Sequence, residues 1–166
     1  YKKRHLYLCY NLDMDPSTSL KALDVANYFL ASIDEEAGDL ISNLKLQKLL
    51  YYAQGFYLAV NDKPLFNEQI EAWIHGPVVP EVYHAFKNHG SGGIQKPEQI
   101  DFSIYSTNIK DHLDEIHMVF GQFSAWKLRN MTHEEPPWKD IKILEIITQN
   151  SMKKYFKTQL VNGEQI

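Results

Sequence analysis

The feature that most constrains the fold is residues 44–86, where a long aromatic helix pattern runs into an abrupt break. Apolar side chains recur every three or four positions through the first part of this run, which is the spacing of one helical face. The break is Gly76-Pro77, since proline lacks an amide proton and restricts the residue before it. A short second helix pattern follows over residues 81–86. The run therefore predicts a helix, a short strand, a turn and another helix.

The long helix in this run is predicted to begin at Ser42 or Asn43, whose side chains suit an N-cap, and to extend to about residue 60. Lys45 and Lys48 fall on the face opposite the apolar one. Gly55 interrupts the helix at a cost of about 1 kcal/mol relative to alanine, so a neighbouring helix or ring is expected to approach closely there. The apolar face comprises Leu46, Leu49, Leu50, Ala53, Phe56, Tyr57 and Val60.

Weaker patterns elsewhere predict further helices and one or two short strands. Residues 70–74 suit a short strand because they are apolar, aromatic and β-branched, and residues 141–147 suit a short strand or a buried turn. Residues 91–93 predict a loop, and residues 94–108 a loop with an edge strand as an alternative. Helices are predicted over residues 20–33, 80–89, 109–120, 125–131 and 151–160.

The ends of several of these helices carry specific signals. The first is expected to be capped by a serine or threonine of residues 17–19 and to be ended by the charged segment 34–39, in which Gly38 resembles a C-cap glycine. Pro80 suits the first turn of its helix, because its missing amide proton would be unpaired there in any case. Asn150 is the expected cap of the last helix, and the proline pair at residues 136–137 is expected to end the helix before it.

Composition narrows the class of protein. At 166 residues the length favours one domain, and a hydrophobic share of 44% is enough for a core. The formal net charge of -4 argues against non-specific nucleic-acid binding, which needs a basic surface. The single cysteine, Cys9, excludes an intramolecular disulfide and a cysteine-based zinc site, and it fits a reducing, cytoplasmic setting. No apolar run is long enough to cross a membrane, and no secretory signal pattern is found.

Candidate catalytic residues are few. His84, His89, His112 and His117 lack the spacing of a zinc motif and are interpreted as surface or interfacial histidines. No phosphate-binding glycine loop and no serine nucleophile motif is present, and no cofactor is expected.

His75 and His133 differ from the other histidines because each lies beside a structure-breaking turn. His133, followed by Glu134 and Glu135 and preceded by Thr132, could form an acid–base pair. The alternative is that these side chains satisfy backbone groups at a helix end, and it is favoured because no nucleophile or metal cluster accompanies them.

The aromatic residues leave two interpretations open. Tyr51, Tyr52 and Tyr57 lie at helical spacing, and Trp73 and Trp138 flank the turns. Aromatic residues at such spacing are more often part of a core. Tyrosine and tryptophan also dominate the energetics of protein–protein interfaces, so an interface stays open as the second interpretation.

Three blocks, in this order along the chain, resemble the Panacea domain family. These domains are also called SocA-like antitoxin domains and are often described as phage-associated or GepA-type proteins. The blocks are LKLQKLLYYAQG at residues 44–55, IEAWIHGPVVPEVY at residues 70–83 and a closing motif at residues 128–138, and the match spans about residues 20–156. The motif residues are Leu46, Lys48, Leu49, Tyr51, Tyr52, Gln54, Gly55, Trp73, Gly76, Pro77, Val78, Tyr83, Thr132, His133, Glu135, Pro137 and Trp138.

The resemblance implies a mainly α fold, a compact single domain with a small β-hairpin or short-strand element. On this basis residues 20–160 form the domain, residues 1–19 an N-terminal extension that is possibly non-native before Met14, and residues 161–166 a frayed tail. It also implies a bacterial or prophage-encoded antitoxin. Members are found beside very different toxins and neutralise them by direct binding. The motif residues are then mainly scaffold, and toxin choice lies on variable surface.

Three functional hypotheses follow. The first is a non-enzymatic antitoxin that binds a cognate toxin, with a homo-oligomer left open, and the second is an adaptor that delivers the toxin to a protease. The third is a small hydrolase that uses His133, Glu135 and His75, which would have to converge in one cleft. No helix-turn-helix pattern is found outside the resembling region, so nucleic-acid binding is not expected.

Overall fold

A computed structural model describes residues 20–160, so the predicted N-terminal extension, its capping residues and the C-terminal tail lie outside the described part. The fold is mainly helical with two small antiparallel sheets, which confirms the predicted class. The helices are α1 (Ala22–Ala31), α2 (Asn43–Asn61), α3 (Pro80–Phe86), α4 (Thr107–Phe120), α5 (Ala125–His133), α6 (Pro136–Lys139) and α7 (Gln149–Lys157). The strands are β1 (Ile41–Ser42), β2 (Ile70–Trp73), β3 (Gly76–Val78), β4 (Gly93–Ile94) and β5 (Ile146–Ile147).

Helix α2 is the centre of the structure, and helices α1, α4, α5 and α7 pack around it. It begins where the sequence predicts, because the Ser42 hydroxyl accepts a hydrogen bond from the Lys45 amide at 3.3 Å. It ends at Asn61, and Asp62 follows in the left-handed conformation with φ of 56°.

The prediction that Lys48 lies on a polar face of α2, opposite the buried face, is wrong. Lys45 is half-buried, but Lys48 is fully buried, as are the polar residues Gln47 and Gln54. The reason is that α2 is enclosed on its polar side too, by the β2–β3 hairpin and the loop that precedes it. A helix enclosed on every side has no solvent face for a periodicity argument to find.

The glycine in α2 makes room for a ring, as predicted. A Cβ atom built on Gly55 would lie inside the ring of Phe156, a buried residue of α7. That ring also makes edge contacts with Tyr51 and Phe56, at centroid distances of 5.3 and 4.7 Å. The α2–α7 interface therefore depends on the absence of a side chain at one position.

The larger sheet has the order β3-β2-β5, and Gly76-Pro77, predicted only as a break between a strand and a helix, instead begins strand β3 and pairs with β2. Trp73 pairs with Gly76 across the hairpin, and Gly76 has φ of 102°, which only glycine adopts readily. Strand β5 pairs with β2, so that Glu71 lies opposite Ile146. Strands β1 and β4 form the second sheet, which supports the edge strand considered beside residues 94–108.

Three predictions about helix ends are wrong for local reasons. Helix α1 ends at Ala31, close to the predicted residue 33, but its C-cap is Ser32 and not Gly38, because Ser32 donates its amide and its hydroxyl to the carbonyl of Tyr28. Thr148, not Asn150, caps α7 through the Ser151 amide. The proline pair begins the short helix α6 after α5 has already ended at His133, because proline fits the first helical positions.

Substitution of Gly55 tests the ring contact. Gly55→Ala is expected to lower the free energy of unfolding by about 1–3 kcal/mol, because overpacking outweighs the better helix propensity of alanine. Urea denaturation followed by circular dichroism would measure the change. The matched control is the double variant Gly55→Ala with Phe156→Leu, in which the smaller side chain should reduce the penalty that alanine adds. A single variant as stable as the wild type would contradict the contact.

Candidate functional site

The motif glutamine of α2 holds the loop between α2 and β2. The Gln54 side-chain oxygen accepts hydrogen bonds from the amides of Leu65 and Phe66, at 2.8 and 3.3 Å. Its side-chain amide donates to the carbonyl of Phe66 at 2.7 Å. These bonds are buried, and a buried backbone group without a partner costs about 1–3 kcal/mol. Gln54 therefore fixes the path by which the chain enters β2.

A second buried glutamine, which is not one of the motif residues, holds the far side of the hairpin. The Gln47 side-chain oxygen accepts a hydrogen bond from the Val79 amide at 2.9 Å, and its nitrogen donates to Asn43 at 2.9 Å. Asn43 in turn donates to the carbonyl of Tyr83 at 3.0 Å. The chain is thus held on α2 where β3 ends and α3 begins.

The buried lysine completes this arrangement at the hairpin turn. The Lys48 amine donates to the carbonyl of Pro77 at 2.9 Å. A Cβ on Gly76 would lie 2.7 Å from Lys48 Cε and 2.8 Å from the hydroxyl of Thr132, so glycine is required for space as well as for its φ. Burial, aided by the charge of Arg129, lowers the pKa of the Lys48 amine to about 7.

Glu135 lies in a pocket of tyrosines from α2 and α7. The Tyr52 hydroxyl donates to Glu135 Oε1 at 2.9 Å, while Oε2 and the Tyr51 hydroxyl are buried without a regular hydrogen bond. Burial raises the pKa of the Glu135 carboxyl to about 7, although the hydroxyls of Tyr52, Tyr51 and Tyr155 act in the opposite direction. The same environment raises the pKa of Tyr51 and of Tyr155. A group that is protonated for part of the time near neutral pH is thus enclosed between α2, α7 and the start of α6.

His133 stacks on an aromatic ring. Its imidazole lies on the indole of Trp138 with ring centroids 3.7 Å apart, and Trp138 Nε1 donates to the carbonyl of Trp73 at 2.9 Å. His133 Nε2 is buried without a hydrogen-bond partner. Burial lowers the pKa of His133 to about 4, and the nearby charges of Arg129, Lys48 and His75 act in the same direction.

The three residues of the hydrolase hypothesis have different neighbours. His133 stacks on Trp138, the Glu135 carboxyl accepts from Tyr52, and His75 is exposed in the turn between β2 and β3. Within residues 20–160, no hydrogen bond joins any two of the three. The part of the chain that the structure describes also holds no group of three His, Cys, Asp or Glu side chains placed to bind a metal ion.

The remaining motif residues lie in the interior or against the sheet. Trp73 and Tyr83 contact each other on the sheet with ring centroids 4.8 Å apart, and the Trp73 indole donates to Glu71 at 2.8 Å. The positions buried to at least nine-tenths are Leu46, Leu49, Tyr51, Tyr52, Gln54, Lys48, Val78 and Thr132. Gly76, Pro77 and Pro137 are also buried.

For His112, one of the four histidines expected at a surface or interface, the prediction is wrong. It is fully buried in α4, where its Nε2 donates to the carbonyl of Ala53 at 2.9 Å, and burial lowers its pKa to about 4. Its ring also makes an edge contact with Tyr57. His84 and His89 are exposed, and His117 is half-buried on the same helix as His112.

The surface carries two features that sequence reasoning missed. One is a group of exposed side chains beside the hairpin turn, including Ile74 and Trp126, which are 66% and 59% exposed. The other is a groove of about 440 Å³ between α1, the segment before α2, and α4. Neither feature could be recognised from the sequence, because a single exposed tryptophan or isoleucine carries no spacing signal. Among residues 20–160, no helix combines the length and apolar character that a membrane span requires.

The Glu135 carboxyl gives a pH-dependent prediction. Its pKa in the folded protein, about 7, is higher than its ordinary 4.5, so its contribution to stability is present below pH 4.5 and is lost as pH rises through 7. Glu135→Gln should remove this contribution. The unfolding free energy of the wild type minus that of the variant should therefore fall by about 1–3 kcal/mol across this interval, since one pKa unit corresponds to about 1.4 kcal/mol.

Urea titrations at several pH values would measure this difference. Taking the difference between wild type and variant removes the contributions of His112 and His133, which titrate in the same range. The control is Glu98→Gln, a change of an exposed carboxylate in the segment after β4, which should keep the wild-type profile. A profile for Glu135→Gln parallel to that of the wild type would contradict the assignment.

Comparison with known proteins identifies the family. The family described as "Antitoxin SocA-like, Panacea domain" matches residues 46–139, which contain α2 except for its first three residues, the hairpin and α5. The protein named Antitoxin SocA of Caulobacter vibrioides (strain NA1000 / CB15N) is 35% identical, over 76% of this chain and 72% of that protein. No solved structure matches the chain. The chain belongs to the SocA-like, Panacea domain family.

Proposed function

We propose that this protein is an antitoxin that binds a cognate toxin protein and neutralises it by direct contact. The observation that carries the proposal is the family match over residues 46–139, together with 35% identity to Antitoxin SocA across most of both chains. A bacterial or prophage-encoded toxin–antitoxin pair in the cytoplasm is the setting in which such a protein would act.

The motif residues are proposed to act as scaffold and not as contact residues. Gln54 and Lys48 use their polar atoms on backbone groups of the chain itself. Gly55 and Gly76 are needed for space. A side chain that is buried and already hydrogen-bonded cannot contact a partner unless the fold opens. Toxin contact is therefore left to exposed residues that lie between these buried positions.

A non-enzymatic role is proposed for the same protein. The tyrosine pocket around Glu135 and the stacking of His133 on Trp138 account for both side chains as parts of the packing between helices. The hydroxyl bonded to Glu135 is that of Tyr52, which is almost fully buried in the core and therefore closed to a substrate.

Co-expression with the product of the adjacent gene tests the proposal. That product should arrest growth when induced alone, and this protein should restore colony formation and co-purify with it as a complex. The control is Leu128→Asp, which places a charge at a fully buried position of α5 and should abolish rescue by unfolding the antitoxin. If the neighbour is toxic and this protein neither rescues nor binds it, the proposal fails.

Measurement of toxin abundance separates direct neutralisation from delivery to a protease. Direct neutralisation predicts that toxin levels in rescued cells stay constant or rise, and that the purified antitoxin inhibits the purified toxin without any protease. Loss of the toxin from rescued cells, with no inhibition by the purified protein, would support the adaptor hypothesis instead.

A further inference from the structure

One surface combines exposed apolar side chains with a cationic group that has no carboxylate partner within residues 20–160. It is formed by Ile74 and His75 in the turn between β2 and β3, and by Trp126 and Arg129 on α5. This set is called the hairpin–α5 face. The indole of Trp126 contacts both neighbours: its centroid is 5.7 Å from that of the His75 ring and 5.9 Å from Arg129 Cζ.

The Arg129 guanidinium at this face has no carboxylate partner within residues 20–160. Arg129 donates from Nη1 to Asn130 at 3.0 Å, but its Nε is buried without a partner. Within residues 20–160, the ion pairs involve Lys139, Lys153 and Lys157, and none includes Arg129. A guanidinium has five donors in a planar fork that fits a carboxylate, so most of its bonding capacity is unused.

The groups beneath the face add no negative charge. Lys48 and His133 lie close enough to Arg129 for its charge to lower both of their pKa values, and His133 Nε2 is a second buried atom without a partner. The two carboxylates that follow α5 have other partners. Glu134 pairs with Lys139 at 3.1 Å, and Glu135 faces the tyrosines of α2 and α7. Within residues 20–160 the Arg129 guanidinium is therefore a positive charge without a carboxylate partner, even though the whole chain carries a net charge of -4.

The apolar part of the face has the composition of an interface centre. Ile74 is 66% and Trp126 59% exposed, so neither contributes its full apolar area to the core. Tryptophan and arginine are the residue types that most often dominate the energetics of protein–protein interfaces. Leu144, in the turn before β5, donates its amide to the carbonyl of Ala72 in β2, is 70% exposed and has φ of 72°. A leucine held in the left-handed region is strained by about 1 kcal/mol or more and here buries little in return.

We infer that the hairpin–α5 face is the surface on which the toxin docks, with a carboxylate of the toxin paired to Arg129 and an apolar side chain of the toxin packed on Trp126 and Ile74. This inference rests on the proposed function. The group that pairs with Arg129 is taken to be an acidic side chain of a protein and not a free anion. The reason is that exposed apolar area surrounds the unpaired donors, and a partner protein covers such area whereas a free anion does not.

The groove beside α1 and α4 is the weaker candidate because its cation is already satisfied. The Lys45 amine donates to the carbonyl of Gly121 at 2.6 Å, and Asp39 and Asp114 line the same groove. Met118, on its rim, is 72% exposed. The groove therefore supplies matched control positions, since it offers exposed apolar surface without an unpaired cation.

The test measures the affinity of the purified antitoxin for the purified toxin, together with rescue of growth. Arg129→Gln and Trp126→Ala should each weaken binding by about 10- to 100-fold and reduce rescue. Met118→Ala is the matched apolar control, and Lys154→Gln, at an exposed lysine of α7, is the matched loss of charge. Both controls should bind like the wild type. Urea denaturation of every variant shows whether a loss of binding follows from a loss of folding.

A charge swap makes the inference specific. Arg129→Glu should abolish binding, and replacement of one acidic surface residue of the toxin by lysine should restore binding to Arg129→Glu alone. Wild-type affinity in both Arg129→Gln and Trp126→Ala would overturn the docking face while leaving the antitoxin function intact. Absence of any binding or rescue by the wild-type protein would overturn both.

Two other occupants are distinguished by the same set of proteins. Inorganic phosphate that binds the wild type but not Arg129→Gln, with toxin affinity unchanged by that variant, would identify a small-anion site and overturn the inference. Self-association that is lost in Trp126→Ala, again with unchanged toxin affinity, would identify an interface between copies of this chain and overturn it equally. Calorimetry would measure the binding of phosphate, and sedimentation velocity would measure self-association.

Discussion

The fold depends on buried side chains of one helix that bond to the backbone of the segments around it. Gln54, Gln47 and Lys48 each reach from α2 to main-chain groups at or near the hairpin. A buried backbone group without a partner costs about 1–3 kcal/mol, so the loop and the hairpin cannot shift along α2 without losing several such bonds at once. Apolar packing alone would accept other registers, because hydrophobic contact is not directional. The polar row on α2 thus selects one arrangement.

The same burial carries an energetic cost that appears in the titration of two groups. The Lys48 amine and the Glu135 carboxyl both have pKa values moved to about 7, one downward and the other upward, because burial disfavours the charged form of each. Near neutral pH, Glu135 is therefore partly protonated and contributes less than a full negative charge. The Lys48 amine likewise carries less than a full positive charge near that pH, so the two buried groups together contribute little net charge beneath the hairpin turn.

The sequence predicted the helices well because their signals are local. Ser42 caps α2, Pro80 begins α3 and Gly55 receives the ring of Phe156, each for the reason that the residue type suggests. Lys48 and His112 could not be placed by the same reasoning. Their burial depends on segments that are distant in sequence, namely the hairpin over Lys48 and the carbonyl of Ala53 beside His112. Periodicity describes one helix at a time and cannot show that a second layer covers its polar face.

The candidate site shows the same division between local and distant information. The motif residues were recognisable from sequence because several lie close together and in a fixed order. Arg129 and Trp126 were not, because each gains meaning only from the neighbours that folding brings to it. Trp126 lies one turn before Arg129 on α5, and the hairpin then places His75 against the indole. No spacing rule contains that contact.

The position of the hairpin–α5 face follows from what anchors it. The turn that carries Ile74 and His75 is tied to α2 by the Lys48–Pro77 bond, and it packs against α5 where Thr132 faces Gly76. Both halves of the face are therefore fixed to the most buried part of the molecule, while their side chains point outward. A partner meets a surface that is already ordered, which reduces the entropy lost on binding. Because the exposed side chains of Ile74 and Trp126 take no part in the buried bonds, their substitution can change the choice of partner without changing the fold. A scaffold of this kind allows recognition to vary independently of stability.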